Sequence, residues 1–153
     1  MKIYMDVSVV LVYLFGKEKE KERYGPVVGV FNLLNSNRLS SVISIYSFQE
    51  LYSFCQENFP PDAAPHVFRL SLLKLLDSPI EIVPLLTRQQ RLIHEKKFQV
   101  GDPSDRPHVV SAYLSGCDAI VGYDEHFRDS SGFIRICLAS EVRRYQREGQ
   151  ARA

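Results

Sequence analysis

Four acidic residues stand where an apolar run of the chain, predicted to be a strand, gives way to a helix or a turn. They are Asp6, Glu50, Asp105 and Asp124. In a wound α/β chain, residues at the ends of neighbouring strands can meet in one crevice although they are far apart in sequence. Ionised carboxylates gathered there repel one another and need a compensating cation. The pattern therefore predicts a Mg²⁺ or Mn²⁺ site.

A site of this kind predicts phosphodiester hydrolysis. Magnesium keeps several of its waters when a few carboxylates hold it, so positions stay open for a substrate phosphate. A bound cation also makes a water more acidic and stabilises the negative charge that develops at phosphorus. The chemistry then requires no serine or histidine nucleophile.

Short apolar strands alternate with amphipathic helices along the chain. The predicted strands are Lys2–Met5, Leu39–Ile45, Ile80–Val83, Ala119–Val121 and Phe133–Leu138. Several of them are apolar throughout, which is typical of a parallel sheet with both faces covered. The fold class is therefore predicted to be α/β, with a central parallel sheet between helices.

Composition indicates one soluble domain. The chain has 153 residues, and we expect residues 1–145 to form the domain and residues 146–153 a frayed polar tail. Its formal net charge of +1 provides no global field that would attract nucleic acid or an anionic membrane.

No apolar run reaches the roughly 20 residues of a membrane span. The three cysteines form no Cys-x-x-Cys pair, so we expect buried, reduced thiols and a cytoplasmic location.

Four segments of the chain resemble, in order, the motifs of the PIN-domain family. The opening Ile3–Val9 is an apolar run that ends in Asp6 and continues to Ser8, and Val42–Leu51 contains a Glu-Leu pair after the second strand. The more specific part runs from Asp105 to an Asp-x-His-Phe ending at residues 124–127. Its two acids lie 19 residues apart.

The resemblance covers nearly the whole chain and is strongest to VapC-like ribonuclease toxins and their small relatives. It implies a three-layer α/β/α fold and a Mg²⁺- or Mn²⁺-dependent endoribonuclease, with Asp6, Glu50, Asp105 and Asp124 as catalytic and metal-binding residues. It also implies an RNA substrate, a homodimer, and a small antitoxin as a possible partner.

The chain departs from the family pattern at Gly122, where Thr or Ser is frequent two residues before the fourth acid. Arg106 and Pro107 also replace the small or apolar residues that are more usual after the third acid. These departures motivate an alternative function, a catalytically weakened PIN-like module that binds RNA or protein. A third possibility is a phosphotransfer domain with a phosphorylated aspartate, which the spacing favours least.

Each acid also has a purely structural interpretation. Asp6 could cap the following helix, and Ser47-x-x-Glu50 could form a capping box. Asp105 could interact with a helix dipole, with Asp102 as a rival ligand, and Asp124 could be a turn residue. The four segments in order favour the metal site.

The histidines and the basic residues give weaker indications of function than the four acids. The four histidines have neither helical metal-binding spacing nor cysteine companions, so zinc is not expected, and His108 is predicted to pack or hydrogen-bond on its helix. A basic group could line an RNA path beside the cleft. It consists of Arg88, Arg91, Lys96 and Lys97.

Overall fold

A five-stranded parallel sheet forms the centre of the molecule. This computed structural model describes residues 1–94, 96–98, 100, 102–124, 127, 132 and 134–150. The strands are β1 (Lys2–Met5), β2 (Ser40–Ser44), β3 (Ile80–Val83), β4 (Ala119–Val121) and β5 (Arg135–Cys137). They lie in the order β3-β2-β1-β4-β5, and every pair is parallel. The predicted α/β class and parallel sheet are confirmed.

Helices connect the strands and cover both faces of the sheet. Their bounds are α1 (Val7–Lys19), α2 (Lys21–Asn35), α3 (Ile45–Asn58), α4 (Ala64–Leu76), α5 (Arg88–His94), α6 (Arg106–Leu114) and α7 (Val142–Gln150). Single 3-10 turns at Pro103–Asp105 and Ala139–Glu141 precede α6 and α7. Among the residues described, no helix combines the length and apolarity that a membrane crossing requires.

The alternation of side chains along β1 divides the core into two layers. Ile3 and Met5 face a layer that includes buried residues of α1, α2, α3 and α4. Tyr4, between them, faces the opposite layer, where Val109 and Val110 of α6 pack. Successive side chains of a strand point to opposite faces, so β1 contributes to both layers. Tyr4 thereby brings a phenol hydroxyl to the α6 side.

Two helical segments differ from the sequence prediction. Gly16 does not end α1, which continues to Lys19; Gly16 is buried within the helix. The chain is also helical beyond Tyr145, since α7 continues to Gln150 and the buried Gln146 side chain donates a hydrogen bond to the Arg38 carbonyl. The predicted start of the last strand at Phe133 lies outside the described residues.

The strand order reverses direction at β1, and this places the candidate site. The chain moves from β1 to β2 and β3 on one side, and returns to β4 on the other side of β1. Crevices outside the carboxyl ends of parallel strands at such a reversal are the usual binding sites of open α/β sheets. Asp6 follows β1 directly, and Gly122 to Asp124 follow β4.

Candidate metal centre

Asp6 lies at the carboxyl end of β1 and is only 4% exposed. Its backbone N–H donates to the Val121 carbonyl at 3.0 Å, which ties it to the end of β4. It is also the N-cap of α1, since its Oδ2 accepts hydrogen bonds from the backbone N–H of Ser8 at 3.0 Å and from the Ser8 hydroxyl. The capping interpretation is therefore correct. A carboxylate has about four lone-pair sites, so capping leaves acceptor capacity for a cation.

Ser8 connects the first acid to the segment after β4. Its Oγ donates to Asp6 and accepts a hydrogen bond from the backbone N–H of Tyr123 at 3.0 Å. Asp6 follows β1 and Tyr123 follows β4, so the sheet fixes the backbone positions of both residues that Ser8 contacts. The Ser8 hydroxyl therefore holds the Asp6 carboxylate in one orientation.

Glu50 projects from the second turn of α3. That helix begins at Ile45 after the N-cap residue Ser44, so Ser47 and Glu50 both lie inside it and the alternative interpretation as a capping box does not apply. Glu50 Oε1 lies 3.1 Å from Nε2 of His108. Glu50 Oε2 is buried and has no hydrogen-bond partner among the described residues. An unsatisfied buried carboxylate oxygen is costly, which favours a cation beside it.

The side chain of His108 is buried beside Glu50, with 2% exposure. Its Nδ1 shares a hydrogen bond of 2.8 Å with the Tyr4 hydroxyl, which lies 2.5 Å from the Ser44 hydroxyl. Burial acts to lower the pKa of His108, but the hydrogen bond and charge of Glu50, with the charges of Asp6 and Asp105, raise it above its ordinary value overall. Its packing and hydrogen bonding agree with the sequence prediction for this residue.

Asp6, Glu50 and His108 form one group of potential ligands. Each offers one ligand atom, and these atoms all lie within 4.8 Å of one another. His108 does not belong to the four-acid pattern in the sequence. The available signal was its position three residues after Asp105, which puts both on one side of α6. The donor set of two carboxylates and one imidazole, with Glu50 Oε2 unsatisfied, fits a small divalent cation.

Asp105 is buried just before α6 and is coupled to the group through charge. It makes no side-chain capping bond to α6, in contrast to Asp102, whose carboxylate accepts from the Ser104 N–H at 2.8 Å. Burial, followed by the charges of Asp124, Asp102 and Asp6, raises the pKa of Asp105 to about 6, against an opposing effect of His108. Asp105 therefore lies within reach of the negative charges of three other carboxylates.

Asp124 is exposed after β4 and lies outside the three-residue group, as Asp105 does. Its charge nevertheless is the second largest cause of the raised pKa of Asp105. The fold thus gathers Asp6 and Glu50 around His108 and couples Asp105 to Asp124. Binding of one ion by all four acids stays a prediction.

Gly122 packs directly against Asp6. A Cβ built on Gly122 would lie 3.1 Å from Asp6 Cβ and 3.4 Å from Asp6 Oδ2. A Thr or Ser side chain there would therefore crowd the first acid. In this chain the hydroxyl beside that carboxylate belongs to Ser8.

A cleft of about 340 Å³ opens beside Glu50 and His108. Tyr46 and Phe54 of α3 form its aromatic lining, and Ser104, just before α6, also lines it. The Tyr46 hydroxyl accepts a hydrogen bond of 3.2 Å from the Leu86 N–H, so the segment leading into α5 adjoins the cleft. Arg88 and Arg91 of α5 are exposed.

No protein-family model matches the sequence, and no curated protein is significantly similar to it. Solved structures do match. VapBC2 from Rickettsia felis, bound to a promoter DNA fragment, aligns at a TM-score of 0.62 and 13% identity over 90% of this chain and 98% of that chain. DNA-bound VapBC from Salmonella typhimurium aligns at 0.59 and 20% identity, over 91% and 98%.

Mycobacterium tuberculosis VapC20, a toxin that cleaves the sarcin-ricin loop, aligns at a TM-score of 0.60 and 11% identity over 86% of this chain and 96% of that chain. At such identities the alignments establish the fold. The resemblance to VapC-like PIN domains and the PIN-like α/β/α architecture are confirmed at that level.

Proposed function

We propose that this protein is a metal-dependent endoribonuclease that hydrolyses RNA with Mg²⁺ or Mn²⁺ bound at Asp6, Glu50, Asp105 and Asp124. The main support is the group of ligand atoms of Asp6, Glu50 and His108, within 4.8 Å of one another. Its location at the reversal of strand order, on a fold shared with VapC toxins, agrees with that function.

The side chains have separate roles in this proposal. When bound, the cation would be a Lewis acid that makes a water more acidic and neutralises negative charge on the phosphate. Asp6, oriented by Ser8, and Glu50, which lies 3.1 Å from His108, provide oxygen ligands. Asp105 has a pKa of about 6, so it is mostly ionised at neutral pH and adds negative charge for cation binding.

The cleft beside Glu50 fits a single RNA strand. Tyr46 and Phe54 provide aromatic surfaces, and bases stack on such surfaces with little dependence on sequence. Arg88 and Arg91 follow the segment that hydrogen-bonds to Tyr46, so they can attract the RNA backbone next to the cleft. Lys97 belongs to the same basic group, and its Nζ lies 4.6 Å from the centre of the Tyr113 ring.

The proposal includes two partners, a small antitoxin and a second copy of this chain. Two of the similar structures described above are VapBC complexes, which supports a small antitoxin as partner. A short reading frame next to this gene, whose product co-purifies with the protein and inhibits cleavage, would test that partner. The homodimer implied by the sequence resemblance is tested by light scattering of the purified protein.

Cleavage assays with purified protein test the activity. We expect Mg²⁺ or Mn²⁺ to support cleavage of single-stranded or structured RNA and EDTA to stop it. Asp6→Asn and the double variant Asp6→Asn, Asp105→Asn should be inactive but folded. Asp62→Asn, which changes an exposed acid between α3 and α4, is the matched control and should retain activity.

Two results would contradict the nuclease proposal. Cleavage that persists in EDTA or in the double variant would show that these acids do not perform the chemistry. RNA binding without cleavage, in either metal and across varied RNAs, would instead support the non-catalytic binding module.

A further inference from the structure

We propose that His108 is a nitrogen ligand of the bound cation and that the centre therefore prefers a first-row transition cation such as Mn²⁺ to Mg²⁺. The inference rests on the proposed function, because it concerns the same centre. It adds a residue that the four-acid pattern does not contain.

The distances support shared coordination by His108 and Glu50. His108 Nε2 lies 3.1 Å from Glu50 Oε1. Two neighbouring ligands at about 2.1 Å in an octahedral shell are themselves about 3 Å apart. Opposite ligands are about 4.2 Å apart, so atoms of all three residues, within 4.8 Å, need only small shifts to reach one ion.

The second nitrogen of His108 has the partner that a metal-binding histidine requires. Such histidines nearly always donate their other N–H to an oxygen, which fixes the tautomer and the ring orientation. Tyr4 provides that oxygen, 2.8 Å from Nδ1, and its own hydroxyl can donate to Ser44 at 2.5 Å. With Nδ1–H donating to Tyr4, Nε2 carries no proton and is free to bind a cation that Glu50 also contacts.

Packing holds the imidazole in this orientation. His108 is 2% exposed, and the Tyr4 and Tyr46 rings each lie 5.9 Å from its centroid. A ring confined in this way cannot turn to solvent when a cation enters. An imidazole beside two carboxylates suits first-row transition cations better than Mg²⁺, which favours oxygen ligands.

A competing structural role for His108 is donation from Nε2–H to Glu50, with no direct bond to the cation. Electron spin-echo envelope modulation of bound Mn²⁺ distinguishes the two roles, because only a directly bound imidazole gives strong ¹⁴N coupling. This measurement uses the native protein and so does not depend on a variant that folds.

We expect ¹⁴N modulation from Mn²⁺ in the native protein and its loss in His108→Gln. It should persist in His66→Gln, which changes an exposed histidine of α4. Calorimetric titration should show tighter binding of Mn²⁺ than of Mg²⁺, with that ratio reduced in His108→Gln. Tyr4→Phe removes the hydroxyl that orients the ring, so it should weaken Mn²⁺ binding by about tenfold while keeping the ¹⁴N signal.

The results separate this inference from the proposed function. Mn²⁺ that binds natively, is lost in Asp6→Asn, and shows no ¹⁴N coupling would overturn the ligand role and leave the metal-dependent nuclease intact. Equal affinity for Mg²⁺ and Mn²⁺ would overturn the preference. If neither cation binds, both proposals fail.

Discussion

Gly122→Ala should weaken cation binding at Asp6, although it adds a single methyl group. The new Cβ would lie 3.1 Å from Asp6 Cβ, 3.4 Å from Oδ2 and 3.5 Å from Cγ. Carbon atoms prefer a separation of about 3.5–4.0 Å, so either Asp6 or the end of β4 must shift by a few tenths of an ångström. Asp6 cannot move freely, because Ser8 holds its Oδ2 and the Val121 carbonyl accepts from its N–H.

Crowding of this kind in a well-packed region costs about 1–3 kcal/mol. If about 1 kcal/mol of that cost appears as displacement of the carboxylate, Mn²⁺ affinity falls by about fivefold. The remainder should lower the Tm by about 2–4 °C for each kcal/mol. Calorimetric titration with Mn²⁺ and thermal unfolding in EDTA measure the two parts separately.

Gly29→Ala is the matched control. Gly29 lies inside helix α2, and the nearest atoms to its added Cβ would belong to the flexible end of Arg143, at 3.5 Å. Alanine is the better helix former by about 1 kcal/mol, so this variant should be at least as stable as the native protein and bind Mn²⁺ normally. Gly122→Ser should behave like Gly122→Ala, because its hydroxyl does not relieve the contact. Native Mn²⁺ affinity in both Gly122 variants would refute the reasoning.

Three other predictions follow from charge. In EDTA the folded state binds extra protons at Asp105 between the ordinary carboxyl pKa and about 6, and at His108 above the ordinary imidazole pKa, so the Tm should fall as pH rises across this whole range. A Tm that rises over that range would contradict these shifts. Asp105→Asn should raise the Tm in EDTA at neutral pH yet abolish cleavage; a lower Tm would show that its carboxylate stabilises the fold. Arg88→Gln with Arg91→Gln should weaken RNA binding and reduce its salt dependence by about 1–2 units of log–log slope, measured by fluorescence anisotropy, without changing Mn²⁺ affinity.

Strand positions could be predicted closely from the sequence because short, mostly apolar runs bounded by turn residues are typical of strands. Lys2–Met5, Ile80–Val83 and Ala119–Val121 agree with the structure at both ends. Helix ends were less predictable. Gly16 and the Ser47-x-x-Glu50 pattern both have local signatures of a helix end, yet packing keeps them inside α1 and α3.

The sequence alone determined the fold class and the placement of acids after the strands, since both depend on local hydrophobic periodicity and chain order. Only the tertiary structure decided which groups touch. Tyr4 and His108 are 104 positions apart, and they meet because β1 turns its middle side chain towards α6. Gly122 gave no local sign of its contact with Asp6, which arises because β1 and β4 are adjacent in the sheet. Periodicity specifies which face of an element is buried, but the partner on that face depends on strand order and register.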